Sequence, residues 1–260
     1  MPAGPGVTVV MVTRDRPALL ADALASVARQ SLRPIEVRIG NDGDADPGAA
    51  LGAIGGIEAV VIPTGGRGAA GARNRASHGA RGEVLAFLDD DDRWLPSHIA
   101  ALAAALVEPA VDLAFSDCAV VREELSPDGA RADLERRVIA HEWDGALMRS
   151  DDFIPPSAWA VRRTLFEGLQ GFDESFRFSE DWDFLMRAAR LTTPRRVPGV
   201  SVEIRMRQSG NASADFGAER RDCLLRLAAR HGLPPIAPKT FWEVAEAVAA
   251  AQARGAKERM

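Results

Sequence analysis

The stretch Glu83–Pro96, EVLAFLDDDDRWLP, constrains this chain more than any other. Val84 to Leu88 form a short apolar run of the kind that makes a buried strand, and it stops abruptly at Asp89, Asp90, Asp91 and Asp92. Four carboxylates packed within a few ångströms repel one another and raise their own pKa values unless a cation neutralises them, so burial side by side is excluded. Hard divalent ions such as Mg²⁺ and Mn²⁺ take oxygen ligands and commonly keep positions open for phosphate oxygens. A strand ending in such an acidic knot therefore reads as a metal and phosphate site. The plainer alternative is an acidic loop that caps a helix over Leu95–Val107, but capping needs one carboxylate and leaves the others without a task.

The chain opens with VTVVMV at Val7–Val12, β-branched and almost wholly apolar, which fits a strand buried on both faces. An amphipathic helix over Ala18–Gln30 follows, with Leu19, Leu20, Ala23, Leu24 and Val27 spaced to face a sheet, Pro17 in its first turn and Thr13 or Asp15 as its cap. Ile35–Ile39 is a second strand, ending in Gly40, Asn41, Asp42, Gly43 and Asp44. Strand, helix and strand with short links make a right-handed parallel unit, in which ligands sit at the carboxyl ends of the strands. Thr13–Arg16, Asn41–Asp44 and the acidic knot all lie at such ends.

Ala59–Ile62 is a third strand, and Gly65–Gly71 a flexible loop into a helix over Ala72–Ala80. The segment GGRGAAGARNRA resembles a phosphate-cradling loop, yet it lacks the lysine and hydroxyl residue of a P-loop, and no GxGxxG follows the first strand. Arg73 and Arg75, read at that helix start, either meet a diphosphate or are a solvated pair. Leu113–Val121 is a further strand, Arg122–Arg137 a charged hairpin or loop over the cleft, Ser157–Val161 a strand and Arg163–Leu169 a short helix. Glu180, Asp181, Trp182 and Asp183 open a helix running to Leu191, where acids also complement the helix dipole. Val197–Met206 reads as an edge strand, Arg205–Asn211 as a polar loop, Phe216–His231 as a helix, and Thr240–Ala253 as a last amphipathic helix, packed on the domain or on a second subunit, which leaves a homodimer open.

With 260 residues, 47% of them hydrophobic and 27% charged, the chain can bury a full core in one large α/β domain. A net charge of −5 argues against nucleic acid or an anionic membrane as the main partner. Cys118 and Cys223 lie far apart without metal spacing and read as reduced thiols of a soluble, cytoplasmic protein. MPAGPGVTVV carries no signal-peptide pattern, and the longest helical apolar run, Ile99–Val107, is too short to span a bilayer.

Taken in order, VVMVTRDRPALLADALASVARQS, IEVRIGNDGD, GARNRA, GEVLAFLDDDDRWLP, and GFDES with SEDWDFLMR, the chain resembles the inverting nucleotide-sugar glycosyltransferases of family 2, over about residues 7–190. The resemblance implies the GT-A fold: an α/β, Rossmann-like, mostly parallel central sheet flanked by helices. Residues 1–110 would be the nucleotide-sugar-binding half, 111–215 the acceptor-binding half of the same domain, and 216–260 a C-terminal helical extension. Thr13, Arg14, Asp15 and Asp42 match positions that hold the nucleotide base, with Asp42 accepting from a uracil N–H. Arg73 matches the arginine of the family's ARN segment, near base and diphosphate. Asp89 and Asp91 match the DxD pair: Asp91 is the direct Mn²⁺ or Mg²⁺ ligand, with Asp89 and Asp90 serving the ribose or the surroundings of the ion. Asp181 matches the catalytic base, and Trp159, Glu180 and Trp182, with Phe178, are acceptor contacts or, for the aromatic rings, ordinary core.

The implied chemistry breaks the anomeric C–O bond as Asp181 takes a proton from the acceptor O–H or N–H, with metal and Arg73 stabilising the departing diphosphate. At a helix start Asp181 should keep a low pKa. Two departures stand out. Val12 and Arg14 replace the usual proline and tyrosine of the first loop, and no histidine follows the last core strand, where Arg205, Arg207 or Gln208 must substitute electrostatically. A small, glycan or carrier-bound acceptor fits a chain without a membrane-spanning run. Two other classes make demands that this sequence does not meet. A sugar nucleotidyltransferase requires a glycine-rich loop with a following lysine near the N-terminus, which Val12–Pro17 does not supply; a non-catalytic sugar-binding scaffold requires loss of acids that Asp42, Asp91 and Asp181 still provide.

Overall fold

A computed structural model describes residues 4–126, 131–207 and 216–258. The first half is built as the sequence pattern requires. Val7–Thr13 (β1) is buried along nearly its whole length, and Glu36–Asn41 (β2) and Val84–Asp89 (β4) pair with it in parallel on either side; Ala59–Pro63 (β3) extends the sheet beyond β2. The register aligns Val12 with both Gly40 and Asp89, so the carboxyl ends of β1, β2 and β4 finish at one level. Beyond β4 the direction changes. Trp159–Arg162 (β8) runs antiparallel to β4 and to Leu113–Leu125 (β6), and Arg195–Met206 (β9) lies parallel to β6. Arg131–Ile139 (β7) folds back on β6 as a hairpin with a bulge between Arg122 and Glu123. Arg93–Trp94 (β5) pairs with β9, giving the order β3-β2-β1-β4-β8-β6-β9-β5 with β7 beside β6. The last core strand is therefore flanked on both sides rather than being an edge.

Pro17–Ala28 (α1) buries Leu20, Ala23, Leu24 and Val27 against the sheet. Its expected caps are used elsewhere: Thr13 Oγ1 donates to Asp90 at 2.7 Å, and Asp15, in a left-handed conformation (φ 56°), accepts the N–H groups of Asp44 and Ala45 at 2.8 Å each. Asp15 thus staples the loop after β1 to the loop after β2. Gly68–Ser77 (α2) starts ahead of the expected Ala72, because the Asp42 carboxylate accepts the N–H groups of Arg67 (2.8 Å) and Gly68 (2.9 Å) and closes the helix from a distant strand. Arg73 consequently sits in the middle of α2, not at its start. The helix lies so close on β2 that a Cβ on Gly40 would meet the Ala72 carbonyl oxygen at 2.6 Å.

His98–Ala105 (α3) begins after Ser97, and none of the four aspartates caps it; β5 intervenes, with the Trp94 indole donating to the Ser157 carbonyl at 2.7 Å. Arg163–Gly168 (α4) and Glu180–Ala188 (α5) follow β8, and their Phe166 and Phe184 join Phe87, Trp159 and Phe172 in one aromatic cluster. Ala218–His231 (α6) anchors α5 through Asp183, which is buried and accepts from Arg187 Nε (2.8 Å), His231 Nε2 (2.9 Å) and Arg230 (3.0 Å). Burial alone raises that carboxyl; these three donors outweigh it and hold Asp183 down at about 2. Phe241–Glu258 (α7) opens on a capping box, Thr240 N–H donating to Glu243 at 2.7 Å and Glu243 N–H to Thr240 Oγ1 at 3.2 Å. It packs on its own chain: Trp242 is buried against the β6–β7 hairpin, with Arg122 and Arg137 stacked 4.0 and 4.4 Å from its ring. Cys118 and Cys223 are free thiols, both buried.

Candidate active site

The carboxyl ends of β1 and β4 form one wall of a cleft of about 610 Å³, and the N-terminus of α5 forms another. At one end it shares Val12, Arg14, Arg16, Arg177 and Phe178 with a hollow of about 270 Å³, which also holds Thr13, Asp42 and Gly68. Asp42 lies at this hollow 6% exposed, taking the Thr64 hydroxyl at 2.6 Å besides the two N–H groups of the α2 start. A carboxylate has about four lone-pair sites, so these three donors leave capacity for one more. Asp15 is spent on the neighbouring loop, whereas Arg14 lines both spaces.

The acidic knot solves its own repulsion by splitting. The Asp89 and Asp91 side chains, 30% and 17% exposed, remain toward the cleft, whereas Asp90 (1%) and Asp92 (4%) are buried, so the four are not buried side by side. Each buried one has its own donors. Asp90 takes Thr13 Oγ1 and pairs with Arg16 at 3.1 Å; Asp92 takes the Ser157 hydroxyl at 2.6 Å and the Arg205 N–H at 2.9 Å. Burial pushes Asp90 up to about 7 despite Arg16, and raises Asp92 well above the usual carboxylate range. Asp90 ties the β1 loop to the knot, its side chain 1% exposed where those of Asp89 and Asp91 are open to the cleft.

Arg73 joins the two walls. Its guanidinium, 6% exposed, donates to Asp89 at 2.6 Å and to Glu180 at 2.5 Å. Burial opposes its charge, but Asp89 and Glu180 prevail and raise its pKa. Glu180, which also lines the cleft, is thereby paired within its wall. Asp181 beside it accepts only the N–H of Trp182, at 2.9 Å, among the contacts of the described residues, and lines the cleft. Its pKa is raised, because burial outweighs Arg73 and the helix start; the low value expected from the dipole alone is not what the tertiary setting produces. Trp182 also lines the cleft, its indole anchored on the Met148 carbonyl at 2.8 Å. Trp159 does not. It is 0% exposed and stacked on Phe184 (5.3 Å, 5° between planes), so it is core and has no surface to offer an acceptor.

Several cleft residues escaped the sequence reading. Asp151 and Asp152 face the α5 side, and Lys239, from the α6–α7 connection, pairs with Asp151. Burial, with Asp181 next, raises Asp152 well above the usual range. The adjacent acids of DDFIPP were the one available signal; nothing local marked Lys239, Ile236 or Phe241 as cleft lining. At the position left without a histidine, Arg207 reaches Asp91 Oδ2 at 2.6 Å, while Arg205 is engaged by Glu123, Asp133 and Glu203; Gln208 lies outside the described residues.

No group of three or more His, Cys, Asp or Glu side chains converges as a metal cage among the described residues. The donor set nevertheless fits a hard divalent ion that shares its shell with a diphosphate. Such ions use one or two carboxylates plus phosphate oxygens and water, and the arginines converge on a single oxygen of each cleft-facing acid, Asp89 Oδ1 and Asp91 Oδ2.

Known proteins decide the family. The model of Glycosyl transferase family 2 matches residues 8–169. The chain is a family 2 glycosyltransferase. Over 238 residues it is 34% identical to the uncharacterized glycosyltransferase YwdF of Bacillus subtilis (strain 168), covering 90% of this chain and 87% of that one. Its fold is similar to S. aureus TarS residues 1–349 in complex with UDP-GlcNAc (TM-score 0.63, 18% identity, 86% of this chain and 66% of that one). It is also similar to the mannosyltransferase PcManGT from Pyrobaculum calidifontis in complex with GDP-Man and Mn²⁺ (TM-score 0.62, 19% identity, 97% and 76%). This glycosyltransferase spans 39% of the longer TarS chain. Its central sheet and flanking helices are the GT-A fold of those enzymes. Among its described residues no helix is long and apolar enough to cross a membrane.

Proposed function

We propose that this enzyme transfers a sugar from a nucleoside-diphosphate sugar, a UDP-sugar, to a hydroxyl or amine of a small, glycan or carrier-bound acceptor, inverting the anomeric centre with Asp181 as general base. One observation carries the reading: Asp89 and Asp91 on one wall and Asp181 on the other face a single cleft, held together by Arg73. That TarS was solved with UDP-GlcNAc and PcManGT with GDP-Man and Mn²⁺ supports the donor class.

In this reading the base of the nucleotide occupies the hollow beside Arg14 and Asp42, using the remaining acceptor capacity of Asp42. The diphosphate lies where hollow and cleft meet, beside Arg16, which lines both. Asp91, with Asp89, would hold Mn²⁺ or Mg²⁺, which supplies positive charge to the leaving diphosphate. Arg73 keeps Asp89 and the α5 start at a fixed separation. Asp181, its pKa raised by burial, is a stronger base than an exposed aspartate. It removes the acceptor proton as the new bond to the anomeric carbon forms on the face opposite the departing diphosphate. Trp182 and Phe178 wall the acceptor side.

Calorimetric titration with UDP, GDP and dTDP, each with and without Mn²⁺, tests this. Saturable, Mn²⁺-assisted UDP binding that weakens in Asp91→Asn is the expected result. Binding of no nucleotide under any of these conditions, or Mn²⁺ assistance untouched in Asp91→Asn, refutes the assignment.

A further inference from the structure

Asp91 is already paired twice by the protein itself. On one of its oxygens, Oδ2, converge Arg16 at 3.0 Å and Arg207 at 2.6 Å, and its carbonyl oxygen accepts from Arg131 at 3.2 Å. The Arg207 side chain is 9% exposed and Arg16 38%, against 17% for Asp91. Arg207 is fixed from behind. Glu123, at the β6 bulge and 0% exposed in its side chain, gathers Arg131 (2.7 Å), Arg205 (2.9 Å) and Arg207 (3.5 Å). Arg131 is in turn held by Asp22 at 2.9 Å, so the guanidiniums behind the knot are braced from both α1 and β6.

The occupancy of this carboxylate decides what can bind. Its Oδ2 already accepts from two guanidiniums, and although Arg16 also pairs with Asp90 and Arg207 with Glu123, a bare divalent ion must displace these donors to reach that oxygen. Asp89 is likewise occupied, its Oδ1 accepting from Arg73, which also donates to Glu180. A diphosphate reverses the balance. Its oxygens match the guanidinium fork as well as a carboxylate does, and Arg16 already stands where the hollow meets the cleft.

We infer that Arg16 and Arg207 act as counter-ions that keep a divalent metal off Asp91 until a nucleoside diphosphate arrives to take up the guanidiniums, so that metal and diphosphate enter the site together. This deepens, and rests on, the donor-site reading above. Arg207 is a positioning residue for Asp91 and sets the order of binding, a task distinct from merely gluing β9 to the knot.

The test reads free Mn²⁺ by electron paramagnetic resonance while the ion is titrated into the full chain without nucleotide. The native protein should leave Mn²⁺ free across the range in which Arg207→Gln binds it at least about tenfold tighter, the least that removing one unit charge a few ångströms from a divalent ion should give even at the dielectric of water. Arg16→Ala, at a partly exposed site and so less exposed to a folding defect, should show the same gain. Adding Asp91→Asn to Arg207→Gln should abolish it. Equal Mn²⁺ affinity in the native protein and both arginine variants, or a gain that survives Asp91→Asn, overturns the inference. Repeating the titration with UDP and with GDP separates the two readings: failure of both nucleotides while the arginine variants still gain Mn²⁺ rejects the donor site and leaves the counter-ion role standing.

Discussion

Replacing Arg73 with methionine, which keeps the length of the aliphatic stem and removes the charge, should disconnect the two walls of the cleft. The guanidinium touches Asp89 at 2.6 Å and Glu180 at 2.5 Å, with side-chain exposures of 6% for Arg73, 30% for Asp89 and 8% for Glu180. At an effective dielectric of about 20 each contact is worth about 6 kcal/mol of gross attraction, most of it offset by the several kcal/mol needed to dehydrate each ion. What counts on substitution is the stranded partner. Removing one member of a buried pair costs about 3–5 kcal/mol; Asp89 can rehydrate, Glu180 cannot, so about 3 kcal/mol is expected where Glu180 is ionised. The loss should depend on pH with a definite sign. Burial, then Asp181, already pushes Glu180 up to about 7 against the pull of Arg73. Without Arg73 it rises further above its unfolded value, so the folded state binds the extra proton and the stability that proton confers disappears as pH increases. The deficit of Arg73→Met should therefore be small near pH 5 and grow as pH rises past 7. Urea unfolding of both proteins near pH 5 and near pH 8, compared through midpoint and slope, measures it. A deficit identical at both, or below about 1 kcal/mol at the higher pH, refutes the reasoning.

Asp181→Asn should keep nucleotide affinity near native and lower the transfer rate by about 10²-fold or more, as measured by release of nucleoside diphosphate, because a positioned base contributes about that much. In the native enzyme the acid limb of kcat/KM should fall above the ordinary aspartate value of 3.8, since burial raises Asp181 and activity is lost as pH drops through that raised pKa. A limb at or below 3.8 would assign the base elsewhere. Gly40→Ala should destabilise the fold by about 1–3 kcal/mol in thermal or urea unfolding, because its Cβ would stand 2.6 Å from the Ala72 carbonyl oxygen and push α2 off the sheet.

Much of the donor side is local and hence visible in the residue order. Val7–Val12, the Leu20/Ala23/Leu24/Val27 stripe and Val84–Leu88 are runs whose periodicity specifies strand, helix and strand without help from afar, and the parallel link between them forces Thr13, Asp42 and Asp89 to one end of the sheet. The acidic knot was likewise legible as charge that an ordinary loop does not need, whereas the Glu180–Asp181 doublet by itself read as acids complementing a helix dipole. What could not be read locally is whatever depends on a partner far along the chain. Asp42 extends α2 to Gly68 from another strand, Trp159 vanishes into a ring cluster supplied by α4 and α5, and Lys239 arrives in the cleft from the α6–α7 connection. The pKa of Asp181 follows the same rule: its place at a helix start is written in the sequence, but the burial that outweighs the dipole belongs to the packed cleft. Sequence alone determined which elements form and which chemistry they carry, because backbone propensity and apolar spacing act within a few residues. Tertiary structure alone decided which of four adjacent aspartates stay toward a ligand and which arginines meet them, because desolvation and Coulomb forces act between groups that only folding brings within a few ångströms.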